Sequence, residues 1–224
     1  MNMEAIEAMK ATPTRNNLPL RLADFSTLAE ALDYAAQGET GFNFYTGTGK
    51  LHSVLPYAKL REQAQTLARR LHSLGLERGA RVGLVADTTP DFPLFFFACQ
   101  YAGLIPVPLT ASIHLGGHQA YVEQLRRLLT ICQAEVAMAS ADFLPFLSEA
   151  AEGLNLRFAG GPEAFAELPE QETQLQPLKP KEIAYLQYTS GSTRFPRGVV
   201  ITQETVLRNL ADIVTHGVKI RPGD

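Results

Sequence analysis

The stretch RVGLVADTTPDFPLFFFACQYAGLIPVPL, residues 81–109, decides the fold. Arg81 to Ala86 is a short apolar run of the kind that forms a buried strand. Thr89-Pro90-Asp91 then caps a helix, with Pro at the first helical position. That helix runs to about Ala102 and is apolar almost all round, so it belongs deep in the core. Leu104 to Leu109 is a second strand, which Pro106 and Pro108 confine toward an edge or a bend.

The alternation continues downstream. Tyr121, Val122, Leu125, Leu128 and Leu129 share one face of a helix that reaches Cys132. A strand over Glu135–Ala139, a short helix from Asp142 and a strand over Leu154–Ala159 follow. Residues 167–181 are rich in Gln, Glu and Pro and read as a surface connection. The apolar strand Ile183–Tyr188 comes next.

Upstream, Thr27-x-x-Glu30 forms a capping box for a helix to about Ala36, with Gly38 as its stop. Phe42–Tyr45 and Leu51–Leu55 flank Thr46–Lys50 as a hairpin. Tyr57, Leu60, Ala64, Leu67, Ala68, Leu71 and Leu74 mark an amphipathic helix ended by Gly75. The economical arrangement is an α/β fold: a βα-alternating, largely parallel sheet with helices on both faces. Residues 1–24 read as an N-terminal extension and 25–224 as one lobe.

Composition excludes several functions. The 224 residues are 46% apolar, enough for one substantial core, and carry a formal net charge of −3. No basic field points to nucleic acid or to an anionic membrane. Glu4 and Glu7 stand where a secretory signal needs basic residues. The longest apolar run, Phe92–Ala98, is too short to span a bilayer. A soluble, cytoplasmic protein without membrane insertion is expected, with Cys99 and Cys132 as free thiols.

The chemistry concentrates in YTSGSTRFPRGV, residues 188–199. Gly191 permits close approach of backbone N–H groups to phosphate oxygens. The hydroxyls of Thr189, Ser190, Ser192 and Thr193 can donate to those oxygens, and Arg197 adds a charged fork. Pro196 and Gly198 shape the return into a strand over Val199–Thr202, and Thr202 caps a helix to about Val214. The loop is not a Walker A motif, since no G-x-x-x-x-G-K-[ST] occurs; Gly49-Lys50 has Phe44 where the first Gly belongs. Taken by its composition alone, Thr-Ser-Gly-Ser-Thr is more often a plain polar hairpin loop.

The whole string resembles the signature loop of the adenylate-forming superfamily, Tyr/Phe-Thr-Ser-Gly-Ser/Thr-Thr-Gly-x-Pro-Lys-Gly-Val. Arg194 replaces the usual Gly and Arg197 the usual Lys. Arg after the Ser-Thr pair, preceded by Tyr-Leu-Gln-Tyr, looks most like the fatty acyl-AMP ligase branch. Leu76–Leu84, Pro90-Asp91-Phe92 and Tyr101–Leu109 are similar to that family's first lobe, so the resemblance runs from about residue 25 onward.

The resemblance implies an enzyme that uses ATP and Mg²⁺ to activate a fatty or other carboxylic acid as its acyl-AMP. CoA or an acyl carrier protein would be the later acceptor. Thr189, Ser190, Gly191, Ser192, Thr193 and Arg197 would bind the β and γ phosphates. The family's adenine loop, ribose-binding Asp and catalytic Lys find no counterparts here, so no catalytic residue is assigned and the chain is expected to be inactive alone. An uncovered lobe interface would favour self-association. The alternative is a short, non-catalytic binding or regulatory protein that retains the fold.

Lesser signals point to structure. His114 and His118 have the spacing of two helical metal ligands, but Gly116 and Gly117 intervene and no third ligand is near, so no metal site is assigned. Lys59, Arg61, Arg69 and Arg70 read as a solvated helix face. Phe95, Phe96 and Phe97 could line an acyl tunnel, although a buried core helix is the plainer reading.

Overall fold

The computed structural model describes residues 18–111, 117–189 and 197–219. Helix α1 (Leu28–Ala35) opens the described lobe, followed by the antiparallel hairpin β1 (Gly41–Tyr45) and β2 (Leu51–Pro56). Helix α2 (Tyr57–His72) leads into β3 (Arg81–Val85), α3 (Asp91–Ala102), β4 (Ile105–Leu109), α4 (Gly117–Ile131) and β5 (Ala134–Met138). Then come α5 (Leu144–Ala151), β6 (Phe158–Gly160) and α6 (Pro162–Ala166). A second antiparallel hairpin, β7 (Ile183–Thr189) and β8 (Arg197–Thr202), runs into α7 (Gln203–Asp212) and a π-helical turn, Ile213–Val218.

The centre is a four-stranded, wholly parallel sheet in the order β4-β3-β5-β6. Its strands alternate between two hydrophobic clusters, as the two-residue strand period requires. Val82, Leu84, Val136 and Met138 face the cluster built with α1, α2, α3 and α6. Val85, Val107, Leu109 and Ala137 face the one built with α4 and α5. Helices therefore cover both faces, and the α/β architecture is as the sequence implies.

Several boundaries differ. Glu30 caps α1 in two ways: its N–H donates to Thr27 Oγ1, while its carboxylate accepts from the N–H of Ser26. The helix ends at the Ala36 cap, short of Gly38. Pro90 is the residue before α3 and not its first member, and burial in α3 is confined to Phe95 and the run Ala98–Ala102. Strand β6 covers Phe158–Gly160, overlapping only the end of the expected Leu154–Ala159, and the unexpected α6 (Pro162–Ala166) follows it, just before the 167–181 connection. Phe165 of α6 explains this, because its ring fills the space between Phe95 and Phe158 at 4.8 and 4.7 Å.

The proline-bearing strand β4 does lie at the sheet edge, where its missing N–H groups cost nothing in the ladder. It is nevertheless buried, because β7 runs against it. Among the described residues no helix is long and apolar enough to cross a membrane.

Candidate functional site: the β7–β8 hairpin

Strands β7 and β8 carry the motif. Their last described pair is Thr189 opposite Arg197, both exposed. A hydroxyl and a guanidinium thus face each other at the mouth of the loop. Ser190, Gly191, Ser192 and Thr193 lie outside the described residues, as does Arg194.

One pair inward, Tyr188 lies opposite Gly198. A Cβ added to Gly198 would meet the Tyr188 ring at 3.0–3.2 Å, so the ring occupies the space a side chain would need. That contact gives the Tyr and Gly of the motif a structural role: an aromatic residue covers a cross-strand glycine. Burial raises the Tyr188 phenol above its ordinary pKa, with the Cys132 thiol as a lesser cause. On the other face of β7, the Tyr185 ring lies 5.9 Å from Phe96 of α3.

The foot of the hairpin is fixed by polar contacts. Arg78, in the α2–β3 connection, donates through Nε and Nη2 to the two carboxylate oxygens of Glu182, at 2.8 and 2.6 Å. It also donates to the carbonyls of Gln176 and Pro177 at 2.8 and 2.9 Å. Arg78 holds the Glu182 carboxyl below the usual carboxylate range, helped by the Lys179 N–H. Gly103 makes room for this clamp. It caps α3 with a φ of 72°, and a Cβ there would lie 2.5 Å from Arg78 Nη1.

Deeper in, the wholly buried Gln100 of α3 donates through Nε2 to the Ala184 carbonyl at 2.8 Å. Its Oε1 accepts from Gln203 Nε2 at 2.5 Å, and Gln203 Oε1 accepts from the Leu28 N–H at 2.9 Å. The backbone carbonyl of Gln100 accepts from Leu178 N–H at 2.9 Å. Neither Gln100, Gln203 nor Arg78 was singled out by the sequence reading. The signal for Gln100 was present: one amide among the apolar residues of Phe95–Ala102.

Thr202 caps α7 as expected, its Oγ1 accepting from the Thr205 N–H at 3.2 Å. Strand β8 begins at Arg197, two residues before the expected start. His118 pairs with Glu149 at 2.5 Å, and His114 lies outside the described residues. Among the described residues, no group of three or more His, Cys, Asp or Glu side chains could hold a metal ion. The basic face of α2 is less free than expected. Arg61 pairs with Asp33 at 2.6 Å, Arg69 with Glu170 at 3.4 Å, and Arg70 donates to the Leu168 carbonyl. Phe95 is a core residue. Cys99 and Cys132 are buried, free thiols, and burial pushes Cys132 up to about 11.

The described residues form an α/β lobe with a parallel central sheet and a β7–β8 hairpin that carries both ends of the motif. The chain belongs to the AMP-binding enzyme family, whose profile matches residues 35–224. It is 42% identical over 214 residues to a Caulobacter vibrioides protein named "Putative acyl-CoA synthetase", covering 95% of this chain and 37% of that one. It is 32% identical over 171 residues to the long-chain-fatty-acid–AMP ligase FadD32 of Mycolicibacterium smegmatis, covering 71% of this chain and 25% of that protein. A solved structure from work on fatty acyl-adenylate ligases of E. coli and L. pneumophila superposes with a TM-score of 0.86 at 45% identity. It covers 92% of this chain and 37% of that one. The chain thus spans about 37% of the length of the Caulobacter protein and of that solved structure, and 25% of the FadD32 length.

Proposed function

We propose that this chain is the triphosphate-binding lobe of an acyl-adenylate-forming ligase that activates a fatty or related carboxylic acid. In that reaction a carboxylate oxygen attacks the α-phosphorus of ATP. The bond to the bridging oxygen breaks, pyrophosphate leaves with its electron pair, and the acyl-AMP anhydride remains. The observation that carries the reading is Thr189 facing Arg197 across the last rung below residues 190–196. A neutral donor and a cation on neighbouring strands at the two ends of the motif support this reading.

Thr189, Ser190, Gly191, Ser192 and Thr193 would hold the β and γ phosphates, and Arg197 would offset the charge on departing pyrophosphate. Their role is positional and electrostatic. A covalent phosphoryl group on Thr189 or Ser190 during turnover would refute it. Mg²⁺ would supply further charge neutralisation on the phosphates. The last described rung carries a Thr hydroxyl and a guanidinium, which do not by themselves make a Mg²⁺ site. The named relatives include a fatty-acid–AMP ligase, a carnitine–CoA ligase and a fatty-acid–[acyl-carrier-protein] ligase, which supports a fatty carboxylic acid as substrate and CoA or a carrier protein as acceptor. A cytoplasmic setting suits these substrates.

A few charge-assisted hydrogen bonds, roughly 1.5–3 kcal/mol each, must offset the entropy of association. The 224-residue chain should therefore bind ATP only at about millimolar Kd, near 4 kcal/mol, and form no acyl-AMP alone. Calorimetric or NMR titration tests this. ATP and pyrophosphate should bind alike, adenosine should not, and Arg197→Ala should weaken both anions. Equal binding of adenosine, or indifference to Arg197→Ala, contradicts it.

A further inference from the structure

The ladder between β7 and β8 contains an irregularity with consequences for the loop it carries. Ile183 pairs with Thr202 and Tyr185 with Ile201, so Ala184 has no partner across the strands. A bulge of this kind strands a backbone polar group and re-aims the strand beyond it. Ala184 is fully buried, so its carbonyl needs a donor. Gln100 Nε2 supplies one at 2.8 Å from the neighbouring helix. Gln100 Oε1 also holds Gln203, the first residue after β8. Both legs of the hairpin are therefore tied to a single side chain.

We propose that Gln100 is a positioning residue that pins the register of the phosphate-loop hairpin, by holding Ala184 out of the ladder and fixing Gln203 beside it. The proposal rests on the reading of residues 189–197 as the phosphate-binding element. If Ala184 enters the ladder, every later residue of β7 shifts by one place. A one-residue slip turns each side chain to the opposite face. Tyr188 then leaves Gly198, and Thr189 no longer faces Arg197. The amide is suited to this work because it donates to one leg and accepts from the other. A buried Leu or Met could fill the same space but could do neither.

The test substitutes Gln100→Met in the 224-residue chain and reads register and binding separately. Cross-strand NOEs report the register through the Tyr188–Gly198 and Tyr185–Ile201 pairs. An ATP titration reports the site. In the variant these NOEs should vanish or move by one residue, while those between β3 and β5 stay. ATP should bind about tenfold more weakly, equivalent to losing about one hydrogen bond to a charged group. Native NOEs with unchanged affinity overturn the proposal. Native NOEs with weakened affinity also overturn it, since the loss then has another origin. Register moved with affinity unchanged leaves the pin standing and overturns the phosphate reading. Should Gln100→Met not fold, exchange of the Gln100 side-chain amide in the unsubstituted chain decides. Protection matching that of the β3 amides is expected, and solvent-like exchange overturns the pin.

Discussion

The parallel sheet and the β7–β8 hairpin solve the same problem in different ways. Strands β3 and β5 are covered on both faces by the chain's own helices, and Val82, Leu84, Val107 and Val136 are fully buried. The hairpin packs both faces of β7 against the lobe, Tyr185 toward Phe96 and Leu186 and Tyr188 toward the second cluster, whereas Val199 and Val200 of β8 remain 43% and 56% exposed. Apolar packing fixes the sheet. Polar contacts at the foot, Arg78 with Glu182 and Gln100 with Ala184 and Gln203, fix the hairpin. A region held by a few directional bonds can be re-aimed or loosened without unfolding the lobe behind it. That property suits the phosphate-binding role proposed for the hairpin.

The sharpest way to break the contrast is to damage the sheet itself. Leu84→Ala removes a fully buried side chain and should cost about 2–5 kcal/mol, lowering the denaturation midpoint of every probe together. If hairpin and sheet amides respond unequally, the two regions are less coupled than the shared core suggests. Arg78→Met should have a smaller and more local effect. It removes the guanidinium from Glu182, which keeps only the Lys179 N–H, and from two carbonyls, at a cost of about 1–3 kcal/mol, and should raise amide exchange in β7 and β8 before any change in β3. Thr202→Ala removes the cap of α7 and should cost about 1 kcal/mol, read as lost protection confined to residues 203–207.

The smallest effect is the pH dependence of the clamp. The Glu182 carboxyl titrates below its ordinary value because Arg78 donates to its charged form. A carboxyl with a lowered folded-state pKa stabilises the structure above its unfolded pKa, and loses that contribution as the pH falls through the folded value. Both side chains are about one-third exposed, so screening keeps the effect modest. Protection of the hairpin amides should decline on acidification below the ordinary carboxylate range, and Arg78→Met should flatten that decline. An unchanged profile in the variant would assign the acid sensitivity to other groups.

The same contrast governs what was legible in the chain. Period-two and period-3.6 patterns belong to elements that bury one face against their own neighbours, so the β1–β2 hairpin, α2, β3 and α4 were legible between residues 41 and 131, as were the strands of the β7–β8 hairpin. The short β6 and the single-turn α6 did not, because their position depends on the distant Phe95 and Phe158 meeting Phe165. The motif of residues 188–199 was visible because the whole string resembles a family signature, although its composition alone is that of a plain polar loop. Its supports were not, because Gln100 lies 84 residues from Ala184 and 103 from Gln203, and Arg78 lies 104 from Glu182. No local pattern records such a pairing. Only the oddity of an amide in an apolar helix marked one of the partners.

The central claim is that residues 189–197 receive the phosphates of a nucleotide. Residue-resolved NMR during titration with pyrophosphate tests it most directly. The account predicts the largest amide shifts at Thr189, Gly198 and Arg197, with β3 and β5 silent and the response lost in Arg197→Ala. Shifts centred elsewhere, or shifts at the loop that persist without the Arg197 guanidinium, would contradict it.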